Sequence, residues 1–492
     1  MSWILMPLTP ECDLLPLVVD LDGTLIQTDM LHEGALAFLG AKPLQIFEIP
    51  FHLLKGRANV KRYLSKAVPS DVTLLPYNQA FLSWLKEQKS TGRTLVLCTA
   101  SDRVVAEAIA AHLGIFDLVF ASDGEVNLAG DRKAEVLEET FGLRGFDYAG
   151  NSRVDLKVWA RANQAIVVNA SASVQRALPP GRIEKVFPPS PVGWAAWADL
   201  LHVNCWLENL LLLVPVFAAH AWGRDADLWL LLTIAVLAFS LCASSVYLTN
   251  DLLELESARR HPRKRSRPLA AGRFPLWKGV LMAPFMFAAS IAMGAWVGKI
   301  FLIWLVAYFF LACVCLWFLK RWMLVECFTS ALSYTTRIMA GAAVVEELPA
   351  VWLVSFSMLL FVSLAFAKRY AGLDAQQKNA NANANARAHG RAYDTTDARM
   401  IMVLGITSGL SAVVVLAWYL ASDYGSHSHV LPESVWLSVP IVMFWISWIW
   451  LQTHRNRMHD EPFVFAVKDR ASLAAGLAFI MALAVGATGL PW

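Results

Sequence analysis

Two hydrophobic patterns divide this chain of 492 residues. Up to about residue 199, short β-branched runs at 17–21, 94–99, 118–122, 147–150, 165–169 and 183–187 alternate with stretches such as 78–89 and 104–113, whose apolar residues recur every three or four positions. Short apolar runs bounded by turn residues predict buried strands, and the longer period predicts helices; their alternation predicts an α/β domain with a parallel sheet. Residues from about Asp29 to Leu75 interrupt the alternation with mostly helical patterning, which predicts an inserted cap. Pro188-Pro189-Ser190-Pro191 then stops regular structure and reads as a linker. The expected organisation is a soluble domain over 1–190, a linker and entry segment over 191–204, and a membrane domain over 205–492.

Beyond the linker the apolar runs lengthen to about 20 residues, enough to cross a bilayer as helix. Nine candidate spans follow, at about 205–222, 227–249, 275–297, 300–319, 324–345, 350–368, 400–421, 434–452 and 471–491. The tract 375–390 is polar and of low complexity and reads as a flexible loop.

Composition sharpens this. The chain is 57% hydrophobic and 16% charged, too apolar for a soluble protein of this size. The net charge of +3 says little, because the basic residues are segregated. On the nine-span scheme, the connections 250–275, 320–321, 368–399 and 453–470 carry nineteen Lys and Arg, while the opposite ones carry only Arg224 and Lys299. That bias predicts a cytoplasmic N-terminal domain, an external C-terminus and residence in the cytoplasmic (inner) membrane. The seven cysteines have no metal-ligand spacing and support neither a disulfide framework nor a zinc site. No basic segment precedes an apolar run at the N-terminus, so no cleavable signal peptide is expected. No nucleic-acid partner is expected, and the oligomeric state is open.

The soluble part carries its chemistry at strand ends. Asp20-Leu21-Asp22-Gly23-Thr24 follows the apolar run Leu17-Val18-Val19, so two carboxylates project near one another. One can attack phosphorus while the other protonates the leaving oxygen, and a metal between them relieves their repulsion. Taken alone, such a sequence is also compatible with a surface turn. Three further elements follow in order: Thr99 closing TLVLCT, Lys133 in GDRKAEVL, and Gly150-Asn151-Ser152-Arg153-Val154-Asp155.

This set resembles the haloacid dehalogenase superfamily of phosphohydrolases over about residues 15–190. The resemblance implies a Rossmann-like α/β domain with a small helical cap. It implies Asp20 as nucleophile and Asp22 as general acid and base, with Thr99 and Lys133 holding the transferred phosphoryl group. Asn151 and Asp155 would complete a Mg²⁺ site with Asp20 and the Asp22 carbonyl. The fourth motif usually begins Gly-Asp; here it is Gly-Asn, one negative charge fewer. Lys55, Arg57, Lys61 and Arg62 in the cap suit either an anionic substrate or lipid surface, or a solvated basic face.

A second cluster lies between two apolar runs, from Asn250 to Gly272. Asp251, Glu254 and Glu256 can hold Mg²⁺, and the metal a diphosphate; Arg259, Arg260, Arg263, Lys264, Arg265 and Arg267 supply cations for phosphate oxygens. A positive-inside loop explains the basic residues but not the acids. The segment resembles the first aspartate-rich motif, NDxxDxxxD, of the UbiA superfamily of intramembrane prenyl-group enzymes. That likeness implies an all-α polytopic membrane domain, here of nine transmembrane helices. The continuation HPRKRSRPLAAG is closer to the polyprenyl-phosphate phosphoribosyltransferases. These move 5-phosphoribose from phosphoribosyl diphosphate to a lipid phosphate.

The resemblance implies Asp251 and Glu254 as Mg²⁺ ligands, with Asn250, Lys264, Arg265, Arg267, Arg337, Lys368, Arg369, Tyr393 and Asp397 around the substrates. Three departures stand out. Glu254 replaces the second aspartate, Ala258 the third, and Glu208 the basic residue expected before Asn209. The expected function is therefore a bifunctional membrane enzyme, a Mg²⁺-dependent phosphoribosyltransferase with a phosphatase domain that dephosphorylates the lipid-linked product. The alternatives are a prenyltransferase with an aromatic acceptor, or a transporter with a regulatory phosphatase-like domain. The HPRKRSRP run weighs against the first, and the collection of charges at one face against the second.

Overall fold

The computed structural model describes residues 14–218, 223, 226–262, 264–319, 322–347, 350–382, 397–422, 432–458 and 462–488. The chain divides into two compact units. One is the chain up to Leu200 together with Leu248–Met282; the other is Leu201–Tyr247 together with the chain from Ala283 onward.

The first unit is built on six strands: β1 (Leu17–Val19), β2 (Leu95–Asp102), β3 (Leu118–Ser122), β4 (Asp147–Gly150), β5 (Ala165–Val168) and β6 (Ile183–Phe187). Their order is β3-β2-β1-β4-β5-β6 and every pairing is parallel. Period-two alternation assigns the faces. Leu17, Val19, Leu95, Leu97, Ile166 and Val168 feed one core, while Val18, Val96, Cys98, Tyr148 and Val167 feed the other. Both faces are covered, which is why these strands read as continuous apolar runs. The order reverses at β1, flanked by β2 and β4, so a crevice opens at their C-terminal ends.

The expected cap is present between β1 and β2. Its helices are Met30–Ala41, Ile49–Leu54 and Arg57–Ala67, and Phe38, Val60 and Leu64 form a small core of their own. Asp29 caps the first of these helices, its carboxylate accepting from the Leu31 and His32 N–H groups.

The second unit is helical, and the nine-span expectation is met in part. Among the described residues, five helices are long and apolar enough to cross a membrane: Ala226–Leu253, Leu276–Val297, Lys299–Leu316, Val351–Leu373 and Ala398–Ala421. Seven result if two bent pairs each count as one span, Trp194–Leu200 with Val203–Ala218 (60°) and Pro462–Lys468 with Arg470–Gly486 (87°). The expected span at 205–222 opens instead as a 3₁₀ segment, Val203–Leu213. The helix Met323–Val345 is long enough, but it carries Glu326, Arg337 and a series of Ser and Thr. Ser438–His454 is only 17 residues long. The helix Val351–Ala382 also runs into the polar tract 375–390, replacing the start of the expected loop; that tract beyond Ala382 lies outside the described residues.

Candidate active site

Asp20 follows β1 directly, and its N–H donates to the Ala149 carbonyl at 3.0 Å, extending the sheet ladder by one bond. The residue is thereby held at the crevice between β2 and β4. Lys133 Nζ, buried, donates to Asp20 Oδ1 at 2.6 Å and to the Tyr148 hydroxyl at 3.1 Å. Tyr148 in turn donates to Asp155 Oδ1 at 2.8 Å. The other Asp155 oxygen accepts from the Asn151 and Ser152 N–H groups and the Ser152 hydroxyl, at 3.1, 2.9 and 2.7 Å. Burial pushes the Asp20 carboxyl up to about 7, with Asp155 and Asp22 adding to the rise and Lys133 opposing it. Burial would lower Lys133, but Asp20 outweighs it and holds the ammonium above its ordinary value.

Asp22 faces the cap. Its Oδ1 accepts from the Met30 N–H at 2.8 Å, and its Oδ2 from the Ser101 hydroxyl at 2.6 Å. Burial, then Asp29, raises its carboxyl above the ordinary carboxylate range, the direction that suits a general acid. Thr99 is fully buried, and its hydroxyl oxygen accepts from the Ser101 N–H at 3.0 Å. Gly23 stands at φ +75°, and a Cβ there would come within 1.9 Å of Asn151 Nδ2, so glycine is required twice over.

Asp20, Asp22, Thr99, Asn151 and Asp155 are thus gathered at the ends of neighbouring strands and the turns that follow them, and Lys133 reaches them from the first turn of the helix Asp131–Phe141. Tyr148 and Ser101 were not anticipated. Their one signal is spacing: Ser101 lies two beyond Thr99, and Tyr148 two before Gly150.

Among the described residues no three His, Cys, Asp or Glu side chains cluster as a metal centre. The donors near Asp20 nonetheless suit a hard cation. They are all oxygens, and the buried carboxylates of Asp20 and Asp155 are opposed by the single buried ammonium of Lys133.

The cap sits closed over this site. Lys61 Nζ donates to the Ala100 carbonyl at 2.6 Å and to Asn127 Oδ1 at 3.3 Å, while Arg62 bonds the Asp123 carbonyl. Met30, Leu31, Lys61, Leu64, Ser101 and Asp102 line a remaining cavity of about 10 Å³, room for no more than a water.

The Asn250–Gly272 segment belongs to the same compact unit. The helix Ala226–Leu253 ends just before Glu254, and a short helix Leu255–Arg260 follows, so Asp251 and Glu254 lie three apart across the break. Asp251 is buried and takes Arg267 Nη1 at 2.5 Å. Asn250, Glu254 and Lys264 are half-buried and Arg265 is exposed. Glu256 pairs with Arg260 at 2.6 Å. Ala258 is buried, so an aspartate at that position would lose its hydration. Arg263 lies outside the described residues.

In the second unit Arg337 is fully buried. Its Nη2 meets Glu208 Oε2 at 3.0 Å and the Tyr308 hydroxyl at 3.4 Å, its Nε donates to Asn209 Oδ1 at 2.8 Å, and its Nη1 to the Ser333 carbonyl at 2.8 Å. Glu208, unexpected at its position, is therefore the counter-ion of an arginine on another helix. Lys368 is exposed, Arg369 pairs with Glu326, and Asp397 immediately precedes the helix Ala398–Ala421. Tyr393 lies outside the described residues.

Residues 210–473 match the family model described as UbiA prenyltransferase family, and residues 17–159 match that of haloacid dehalogenase-like hydrolase. An uncharacterized protein, y4nM, of Sinorhizobium fredii is 34% identical over 480 residues, covering 95% of this chain and 91% of that protein. The nodulation protein NoeC of Azorhizobium caulinodans is 31% identical over 58% of this chain and 96% of its own length. A decaprenyl-phosphate phosphoribosyltransferase of Mycobacterium tuberculosis is 29% identical, over 56% of this chain and 88% of its own.

Proposed function

This chain belongs to the UbiA prenyltransferase family, and from that membership we propose a two-headed membrane enzyme: it transfers 5-phosphoribose from phosphoribosyl diphosphate to a polyprenyl phosphate, and its N-terminal domain removes a phosphate from the lipid-linked product. The observation that carries the transferase half is the pairing of acids with a dense basic run in Asn250–Gly272, in a chain similar to decaprenyl-phosphate phosphoribosyltransferases.

Asp251 and Glu254 are the residues that would hold Mg²⁺, which neutralises diphosphate charge when bound. Lys264, Arg265 and Arg267 bind phosphate oxygens, with Lys368 and Arg369 assigned the same task and Asn250, Tyr393 and Asp397 the sugar and its surroundings. The C–O bond from the sugar's anomeric carbon to diphosphate breaks as the lipid phosphate oxygen bonds that carbon, and diphosphate leaves. Cations that grip the leaving group lower this barrier because its charge grows in the transition state. Arg337, committed to Glu208 and Asn209, fits a positioning role.

In the N-terminal domain, Asp20 attacks phosphorus and Asp22 gives its proton to the departing oxygen. Water then attacks the aspartyl phosphate, Asp22 takes back a proton, and phosphate is released. Lys133 balances the negative charge at Asp20 throughout, and Thr99 holds a phosphoryl oxygen. Asp20, Asp155, Asn151 and the Asp22 carbonyl are the groups that would hold Mg²⁺, which screens the incoming phosphate from these carboxylates. With nine spans, the bias of nineteen basic residues against two supports a cytoplasmic N-terminal domain.

The test is purified full-length protein with Mg²⁺, radiolabelled phosphoribosyl diphosphate and polyprenyl phosphate. Label in the lipid fraction is expected; its absence there, with prenyl transfer to an aromatic acceptor in its place, replaces the donor and acceptor named above.

A further inference from the structure

The cap carries an apolar stripe on the wrong side. In the segment 43–54, Leu44, Phe47, Phe51 and Leu54 recur at intervals of three, four and three, which places them on one helical face. They are 85, 75, 70 and 86% exposed. The segment is not loosely attached. Ile49 packs against the cap core of Phe38, Val60 and Leu64, while His52 stacks on Tyr63 at 3.9 Å and bonds Asn59 at 2.8 Å. Its inward side is therefore occupied, and the stripe is held outward. Scattered exposed apolar residues are ordinary, but two leucines and two phenylalanines in one row mark a surface that meets something apolar.

Its place in the unit identifies the partner. The cap helix Met30–Ala41 ends against a candidate span: a Cβ on Gly40 would lie 3.4 Å from the carbonyl of Leu253, the last residue of the helix Ala226–Leu253. Leu44 follows Gly40 by four residues, a reach of at most about 14 Å of chain. Exposed Lys42 and Lys55 bracket the stripe, as suits anionic headgroups. The nearest acid, Glu48, accepts a hydrogen bond from the Tyr63 hydroxyl at 2.7 Å.

We propose that Leu44, Phe47, Phe51 and Leu54 form a lipid anchor that seats the phosphatase cap in the headgroup region of the bilayer crossed by this chain's own helices. Interfacial helices bind in this way, apolar face down and basic residues at the headgroups. A substrate class follows, and this clause rests on the hydrolase reading above: the cap closes over phosphate monoesters carried on lipid at that surface, in preference to soluble ones.

The test uses full-length protein in vesicles of phosphatidylcholine with phosphatidylglycerol, carrying p-benzoylphenylalanine at position 47 or 54. A control probe replaces Leu143, which is 65% exposed and lies just before β4, at the opposite end of the sheet from the cap. Irradiation is expected to yield lipid adducts at 47 and 54 and none at 143. Adducts to a second copy of the chain, no adducts, or equal adducts at 143 overturn the anchor.

A second arm replaces all four stripe residues with serine. Hydrolysis of p-nitrophenyl phosphate is expected to stay unchanged while release of the 5-phosphate from vesicle-borne polyprenyl-phosphoryl-5-phosphoribose falls about tenfold; equal loss on both overturns the substrate preference. If the unaltered protein cleaves neither, the hydrolase reading fails and takes the preference with it, while the crosslinks still decide the anchor.

Discussion

Arg259 lays two nitrogens across the Glu33 carboxylate, at 3.0 and 2.6 Å, with both side chains buried. Glu33 also accepts from the Thr28 hydroxyl at 2.7 Å, and the Thr28 carbonyl accepts from the Gly23 N–H at 3.1 Å. The basic segment proposed to bind diphosphate is thus tied, through two side chains, to the turn that follows Asp22. Removing one partner of a buried pair strands the other, at about 3 kcal/mol. Arg259→Ala is expected to lower the unfolding midpoint and to slow p-nitrophenyl phosphate hydrolysis about tenfold; an unchanged rate would detach the pair from the phosphatase. An excised fragment 1–190 lacks Arg259 and is expected to share the defect.

Stability of the metal-free protein should fall as pH rises. Asp20 is raised to about 7 in the fold against about 3.8 when unfolded, so it holds a proton over that window that the unfolded chain has lost. Asp22, raised by burial, and His32, raised by its hydrogen bond to Asp29, act in the same direction. Lys133 is protonated in both states over this range and adds no slope. Between pH 5 and 8 the loss is about 2–3 kcal/mol by linkage, or roughly 5–10 °C in a domain of this size. Thermal melts of the full chain in chelator check this. The slope should shrink in Asp20→Asn, and a midpoint that rises with pH contradicts the assignment.

The Glu208–Arg337 pair makes a prediction of its own. Glu208→Ala leaves a buried guanidinium without its anion and is expected to cost about 3–5 kcal/mol. Replacing both residues with leucine should cost less than that single change. Unfolding in detergent–denaturant mixtures measures all three proteins, and a double variant worse than the single one contradicts the counter-ion account.

Gly23→Ala probes the turn. A Cβ would meet Asn151 Nδ2 at 1.9 Å and stand at φ +75°, so Asn151 must move. Hydrolysis of p-nitrophenyl phosphate is expected to drop more than tenfold and to need more Mg²⁺ for half-maximal rate. A loss that added Mg²⁺ does not shift at all argues against Asn151 as a cation ligand.

The sequence read well where chemistry and period coincide. The six strands and the cap between β1 and β2 follow from the apolar periodicity, and the gathering of Asp20, Lys133 and Asp155 from the ordered set of motifs that resembles the haloacid dehalogenase superfamily. Tyr148 did not, because an apolar-looking strand position says nothing of a hydroxyl aimed across to Lys133. Glu208 read as a departure because its partner, Arg337, lies 129 residues away. Five to seven of the nine expected spans stand out among the described residues, because hydropathy alone does not register the polar row in Met323–Val345 or the bends at Leu200 and Lys468. Membership of residues 248–282 in the first unit depends on contacts such as Arg259 with Glu33, which no local pattern announces.

The central claim is two chemistries on one chain, and separating them tests it most directly. Full-length Asp251→Asn and Asp20→Asn proteins would be given radiolabelled phosphoribosyl diphosphate, polyprenyl phosphate and Mg²⁺, with lipid label and released phosphate followed together. Asp251→Asn is expected to abolish lipid labelling, whereas Asp20→Asn labels lipid normally and releases no phosphate from it. Lipid labelling that survives Asp251→Asn, or phosphate release that survives Asp20→Asn, contradicts the account.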